Sequence, residues 1–217
     1  MHAITSLNQV AGGFTGTAVT IGKFDGIHLG HQKLISALSS AAAEHSIQSV
    51  VVTFDRHPDA LLKPGHAKLP IIGPKQKHDL IAKHDVDVLV TLPFDEALAS
   101  LSPEDFVQAI LCDGLKAKIV LVGEDFRFGN RGSGDVHLLH DLGQQLGFEV
   151  RVIASAMLDG EKISSSAIRE ALDAGDVVKA QKMLGHVHTC VGIIEHGLKI
   201  GRSEERRVGK ECLRLCR

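Results

Sequence analysis

Strand-length apolar runs alternate with longer helical patterns along most of this chain, and that alternation limits the fold more than any other feature. The runs fall at 18–21, 49–54, 86–92, 118–122 and 148–153. They are apolar almost throughout instead of at every second residue, the pattern of strands covered on both faces in a parallel sheet. Helical patterns lie between them at 31–44, 75–84, 103–111 and 136–146, and two more follow at 165–174 and 176–184. Ser102 ahead of Pro103 supplies an N-cap followed by proline at the first helical position. The order predicts an α/β fold on an open parallel sheet with right-handed crossovers. Ligands in such sheets bind outside the carboxyl ends of the strands.

Composition narrows the class further. With 217 residues, 44% of them hydrophobic, the chain suffices for one core and the beginning of a second domain. Basic residues number 24 and acidic ones 26, for a formal net charge of -2, so no overall basic field draws nucleic acid and none is expected as a partner. Cys112, Cys190, Cys212 and Cys216 form neither a disulfide framework nor a paired zinc-ligand pattern. The N-terminus has no charged segment leading into an apolar one, and no apolar run reaches membrane-spanning length. A cytoplasmic setting without a membrane partner is the expectation. Trp and Tyr are absent, so a ring that stacks on a ligand has to be one of eight Phe residues or a His.

The run at 18–21 leads into GKFDGIHLGH, residues 22–31. This reads as strand, tight glycine-rich turn and helix N-terminus, an arrangement that aims backbone N–H groups and the positive end of a helix dipole at an anion. His28 and His31 are three apart and share one face of the first helical turn. Two imidazoles there can donate to phosphate oxygens and stabilise charge that builds during displacement at phosphorus. Gly30 between them allows close approach to the backbone. A bare pair of this spacing is more often two solvated histidines, and zinc lacks further ligands at suitable spacing. The glycine turn and the buried strand before it favour phosphate.

Three other segments emerge at strand ends. ISSSAIR, 163–169, brings Ser164, Ser165 and Ser166 into a helix start and adds the cationic fork of Arg169. Alone it reads as an ordinary N-cap with a solvated arginine; beside HLGH it would complete one phosphate clamp. VGEDFRFGNRGSGD, 122–135, is a polar, glycine-rich loop with Phe126 and Phe128, one of which is expected to be a core anchor. TFDRHP, 53–58, sets Phe54, His57 and Pro58 at a corner that suits a ligand wall and a plain turn equally.

Taken in order, GKFDGIHLGH, TFDRHP, VGEDFRFG and ISSSAIR closely resemble the adenylyltransferase (FAD synthetase) module of the prokaryotic bifunctional riboflavin kinase/FAD synthetase family, over residues 19–184. HLGH alone marks the wider nucleotidyltransferase superfamily; its pairing with VGEDFRFG is more specific. The resemblance implies a Rossmann-like nucleotidyltransferase domain at 1–185 and Mg2+-dependent transfer of AMP from ATP to FMN, giving FAD and pyrophosphate. Catalysis would be positioning plus electrostatics, with an FMN phosphate oxygen attacking the α-phosphorus in line. Catalytic roles are implied for His28, His31 and Arg169. ATP contacts are implied for Gly22, Phe24, Asp25, Gly26, His28, Gly30, His31, Ser164, Ser165, Ser166 and Arg169. Flavin contacts are implied for Phe54, His57, Pro58, Asp125 and Phe128, and no metal ligand is assigned.

The chain departs from the family pattern in two places. Lys23 stands where relatives most often carry a small or neutral residue, either as a further phosphate contact or as a solvent-facing side chain. Segment 186–201 resembles the first strand and turn of the β-barrel riboflavin kinase module, and the Pro-Thr-Ala-Asn signature of that module is absent, so kinase activity is not expected of this chain. Residues 202–217 are basic, lack apolar periodicity and resemble a translated sequencing adapter; this tail is expected to be disordered or artefactual. The rival readings are an adenylyltransferase with another phosphate acceptor, which has no need of VGEDFRFG, and a non-catalytic nucleotide-binding fragment.

Overall fold

The computed structural model describes residues 1–9, 13–57, 61 and 68–192. Six strands, β1 (His2–Ile4), β2 (Thr17–Ile21), β3 (Gln48–Phe54), β4 (Val88–Leu92), β5 (Ala117–Gly123) and β6 (Glu149–Ile153), form one sheet in the order β1-β4-β3-β2-β5-β6. Every neighbouring pair is parallel. The helices are α1 (Leu29–His45), α2 (Pro74–Ile81), α3 (Glu96–Ser100), α4 (Pro103–Phe106), α5 (Val136–Leu146), α6 (Ser165–Asp173) and α7 (Val177–Leu184). A small antiparallel hairpin, β7 (Met157–Leu158) and β8 (Glu161–Lys162), precedes α6.

The α/β class and the parallel sheet are as the apolar runs predict, because the sheet is covered twice along β2 to β5; the run at 148–153 differs, since β6 is an edge strand with Glu149 and Val152 exposed. Ala18, Val51, Leu89, Ile119 and Leu121 pack on one face with Leu34, Ile35 and Leu38 of α1, Ile81 of α2, and the buried sides of α6 and α7. Val19, Val50, Val52, Val90, Val120 and Val122 pack on the other with Phe106, Leu111, Leu139 and Leu142. Burying each large aliphatic side chain contributes roughly 1.5–3 kcal/mol, and strands that serve both cores have no position left for a polar residue on a wet face. Central β2 is buried over its whole length.

Some elements differ from the sequence reading. Strand β1 was not expected; it has three residues, none of them fully buried, and pairs only with β4. The helix predicted at 103–111 starts as α4, with Ser102 Oγ accepting from the Asp105 N–H at 3.0 Å, and widens into a π-helix over Val107–Gly114. The helix predicted at 75–84 is α2 followed by a 3-10 turn, Ala82–His84.

From β2 the chain steps outward to β3 and β4, then crosses back to place β5 and β6 on the other side. Strand order therefore reverses between β2 and β5, which is where an open α/β sheet offers a crevice beyond its carboxyl edge. The loops that follow those two strands are 22–28 and 124–135.

Met1–Val187 is one compact unit and His188–Arg217 is the other. Within the segment read as the start of a barrel module, residues 187–192 carry neither helix nor strand. Residues 193–201 and the 202–217 tail lie outside the described residues.

Candidate functional site

The Gly22 N–H still bonds to the Val52 carbonyl at 3.0 Å, and the backbone then leaves the sheet through a strained turn. Phe24 (φ 46°), Gly26 (φ 88°) and Ile27 (φ 42°) all lie in the left-handed region. A non-glycine residue held there costs on the order of 1–3 kcal/mol and persists only when its surroundings over-determine it. Here the Phe24 and Ile27 side chains are wholly buried and act as pins. A Cβ at Gly26 would lie 3.2 Å from both Ile71 Cδ1 and Leu184 Cδ2, so those side chains would have to give by a few tenths of an ångström, on top of the strained φ. Among the described residues no acceptor pairs with the N–H groups of Phe24, Gly26 or Ile27.

His28 is the N-cap of α1, its Nδ1 accepting from the His31 N–H at 3.3 Å. That bond occupies the Nδ1 lone pair, so the neutral ring carries its proton on Nε2. The His31 ring stacks on His28 with centroids 3.6 Å apart and planes at 17°. Phe24 closes the other side, 5.1 Å from His31. Burial pushes the His28 imidazole down to about 4. His31 is held well below its ordinary range, first by burial, then by His28 and the Lys77 ammonium. Both rings are therefore neutral at pH 7, and buried His31 Nδ1 has no hydrogen-bond partner among the described residues. Gly30 permits the stack: a Cβ there would come within 3.2 Å of the His28 ring.

The serine segment meets this turn at the same sheet edge, as expected. Ser165 Oγ donates to the Asp25 carbonyl at 2.9 Å, across 140 positions of sequence. Ser164 is the N-cap of α6, accepting from the Ala167 N–H at 3.2 Å, and Ser166 Oγ accepts from Lys68 Nζ at 3.2 Å. Arg169 takes a partner the sequence reading did not foresee. Its guanidinium pairs with the Asp25 carboxylate, while Nε donates to the Leu69 carbonyl at 2.9 Å and Nη1 to the Ser165 carbonyl at 3.2 Å. Asp25 Oδ1 also accepts from the N–H groups of Ile71 at 2.9 Å and Ile72 at 3.4 Å. The fork expected to face phosphate thus ties the turn to α6, and Asp25 is its counter-ion.

Two clefts flank Lys23 and Phe54, which line both. The larger, of about 1170 Å³, is walled by Phe94, Phe106, Phe126 and Phe128, with Glu96, Asp125, Arg127, Asn130 and Arg131 supplying polar groups. Phe128 is the core anchor of the loop pair, 5% exposed and packed on Phe106 and Phe126. Asp125 pairs with Lys162 of the hairpin, and Glu124 accepts from the Ser155 hydroxyl at 2.8 Å and its N–H at 3.1 Å. Those Ser155 bonds hold the Glu124 carboxyl below its usual range. They clasp the loop after β5 to the segment after β6.

The smaller cleft, of about 470 Å³, is lined by Asp25, His57, Lys68 and Lys77 together with apolar residues of β1 and β4. The wall expected from one residue set is therefore divided. Phe54, Asp125 and Phe128 line the larger cleft, His57 lines the smaller, and Pro58 lies outside the described residues. Lys77, Glu96, Arg127, Asn130 and Arg131 were not singled out from sequence. Asn130 and Arg131 stand inside a loop already quoted, whereas Lys77 and Glu96 sit on helices without a motif. Among the described residues, no group of three or more His, Cys, Asp or Glu side chains could hold a metal ion.

The sequence model described as FAD synthetase matches residues 13–167. The chain belongs to the FAD synthetase family. It is 36% identical over 203 residues to a bifunctional riboflavin kinase/FMN adenylyltransferase of Buchnera aphidicola subsp. Acyrthosiphon pisum, covering 94% of this chain and 63% of that protein. A protein of the same description from Haemophilus influenzae is 33% identical over 203 residues, covering 94% of this chain and 66% of its own length. The chain thus spans just under two thirds of these curated relatives. A crystal structure described as a macrolide-efflux protein from Streptococcus pneumoniae is 30% identical, with a TM-score of 0.75, covering 86% of this chain and 70% of that one. Among the described residues here, no helix is long and apolar enough to cross a membrane. The matched span of the FAD synthetase family includes the histidine turn, both clefts' shared residues Lys23 and Phe54, the loop after β5 and the serine segment as far as Ala167.

Proposed function

We propose that residues 1–185 carry an FMN adenylyltransferase, moving AMP from ATP to FMN with release of pyrophosphate. The observation that carries this reading is the stacked, neutral His28–His31 pair at the N-terminus of α1, beside the β2/β5 reversal, in a chain of the FAD synthetase family. ATP phosphates lie over the turn 22–31 at the N-terminus of α1, with the His28 Nε2–H as a donor. An FMN phosphate oxygen attacks the α-phosphorus in line, and the bond to the pyrophosphate oxygen breaks with its electron pair leaving on that oxygen. Neutral N–H donors placed where charge builds stabilise the transition state without themselves gaining or losing a proton. FMN phosphate is already ionised at neutral pH, so no general base is needed.

The flavin ring occupies the larger cleft, whose phenylalanines supply stacking surface that the absence of Trp and Tyr leaves to them. Asp25 and Arg169 hold the turn and the serine segment together beneath the phosphates. No residue is assigned to hold Mg2+; it would enter with the ATP and would neutralise charge on the phosphates. The cytoplasm, where ATP and FMN are at hand, is the proposed setting. Riboflavin kinase activity is not proposed for this chain.

Acceptor choice tests the reading. The protein is incubated with ATP, Mg2+ and either FMN, pantetheine phosphate or nicotinamide mononucleotide, and products are separated by chromatography. Adenylylation of FMN alone is expected; adenylylation of either other acceptor in its place would overturn it.

A further inference from the structure

Lys77 belongs to none of the motifs, yet its ammonium stands behind the strained turn. It lies in the first turns of α2, its N–H bonded to the Gly73 carbonyl at 2.9 Å, so its side chain starts from a fixed point. Nζ donates to the Lys23 carbonyl at 2.9 Å and to Thr53 Oγ1 at 3.3 Å. Thr53 Oγ1, at the end of β3, donates to the same Lys23 carbonyl at 3.2 Å. One carbonyl oxygen therefore receives donors from two elements. The peptide that follows is planar and trans, so fixing the Lys23 C=O fixes the Phe24 N–H in the opposite direction. Phe24 is the first of the left-handed residues in the turn that leads to His28, the N-cap of α1.

We propose that Lys77 is a positioning residue for the transfer reaction, its ammonium holding the Lys23–Phe24 peptide plane and through it the turn that presents His28. The catalytic half of this proposal rests on the FMN adenylyltransferase reading; the structural half does not. The arrangement is electrostatically balanced as well: burial pushes the Lys77 ammonium down, and the Asp25 carboxylate opposes that shift. A purely stabilising lysine would change the melting point and leave turnover in proportion to folded protein. A positioning lysine changes turnover in folded protein.

The test compares Lys77→Met, Lys77→Arg and wild type for kcat, KM for ATP, melting temperature and hydrogen exchange of the 22–31 amides. With Lys77→Met, kcat is expected to fall about tenfold to a hundredfold, the scale of a small misplacement at a reacting centre, with KM for ATP changed less than about threefold. Exchange at 22–31 should quicken, and Lys77→Arg should recover most of the lost kcat. If Lys77→Met does not fold, Lys77→Gln, whose shorter side chain keeps an amide NH2 without the charge, carries the same comparison. A folded variant with kcat within about threefold of wild type overturns the proposal. Wild-type protein that makes no FAD overturns the adenylyltransferase reading instead. Exchange then decides on its own, and unchanged exchange at 22–31 overturns the positioning role.

Discussion

Asp25 and Arg169, 144 residues apart, form an ion pair whose side chains are only 8% and 16% exposed. It joins the turn after β2 to the first turns of α6 and makes two distant motifs one rigid base. Removing one partner of such a pair strands the other charge in a poorly solvated site. Asp25→Ala also leaves the Ile71 and Ile72 N–H groups without their acceptor. Destabilisation of about 3–5 kcal/mol is expected in urea melts. Arg169→Met combined with Asp25→Ala should cost clearly less than the two single changes added together, because the stranded charge is gone. Strict additivity would contradict the coupling.

The histidine pair should dominate turnover. His28→Ala removes the Nε2–H donor together with the helix cap and is expected to lower kcat by about 10²–10³. His28→Asn keeps an N-cap acceptor and an N–H donor and should retain more activity than alanine. Steady-state FAD formation by both variants checks the order, and equal loss would show that the cap and donor are not what the imidazole supplies.

Neutrality of the pair predicts the pH dependence of stability. The His28 value in the folded protein, about 4, lies below its ordinary 6.5, so the unfolded chain binds the proton more readily between those limits. Stability from this group is complete above pH 6.5 and is lost as pH falls toward 4, by roughly 3 kcal/mol in all. Unfolding free energies measured from pH 7 to 4 should therefore fall less steeply for His28→Ala than for wild type. Parallel curves would contradict the assignment.

Gly30 separates stability from function. An alanine Cβ there sits 3.2 Å from the His28 ring and forces it to shift by a few tenths of an ångström. Alanine in a helix is otherwise favourable, so Gly30→Ala should leave stability unchanged or raise it by up to about 1 kcal/mol. Turnover should nevertheless fall about tenfold, since the donor is displaced. Thermal melts and kcat measured on the same preparation test this pairing.

The fold was readable in sequence because β2 to β5 serve two cores and leave unbroken apolar runs, as at Val50–Val52. Strand β1 and helix α3 escaped because three and five residues are too few for a period to emerge. The histidine pair was readable because it is local, two rings on one helical turn after a glycine turn. The partner of Arg169 was not, since a guanidinium fork fits a carboxylate as well as a phosphate and Asp25 is remote in sequence. His57 fell to the other cleft for a topological reason. It follows β3, which lies on the β4 side of β2, whereas the loop carrying Asp125 and Phe128 follows β5 on the opposite side. Lys77 reaches the turn only through the packing of α2 against the end of β3, a contact no local pattern encodes.

The most direct measurement is product formation by the purified chain supplied with ATP, FMN and Mg2+. FAD and pyrophosphate should accumulate in equal amounts, at a rate that His28→Ala reduces by about 10²–10³. No FAD above the His28→Ala background, from protein shown to be folded, would contradict the account.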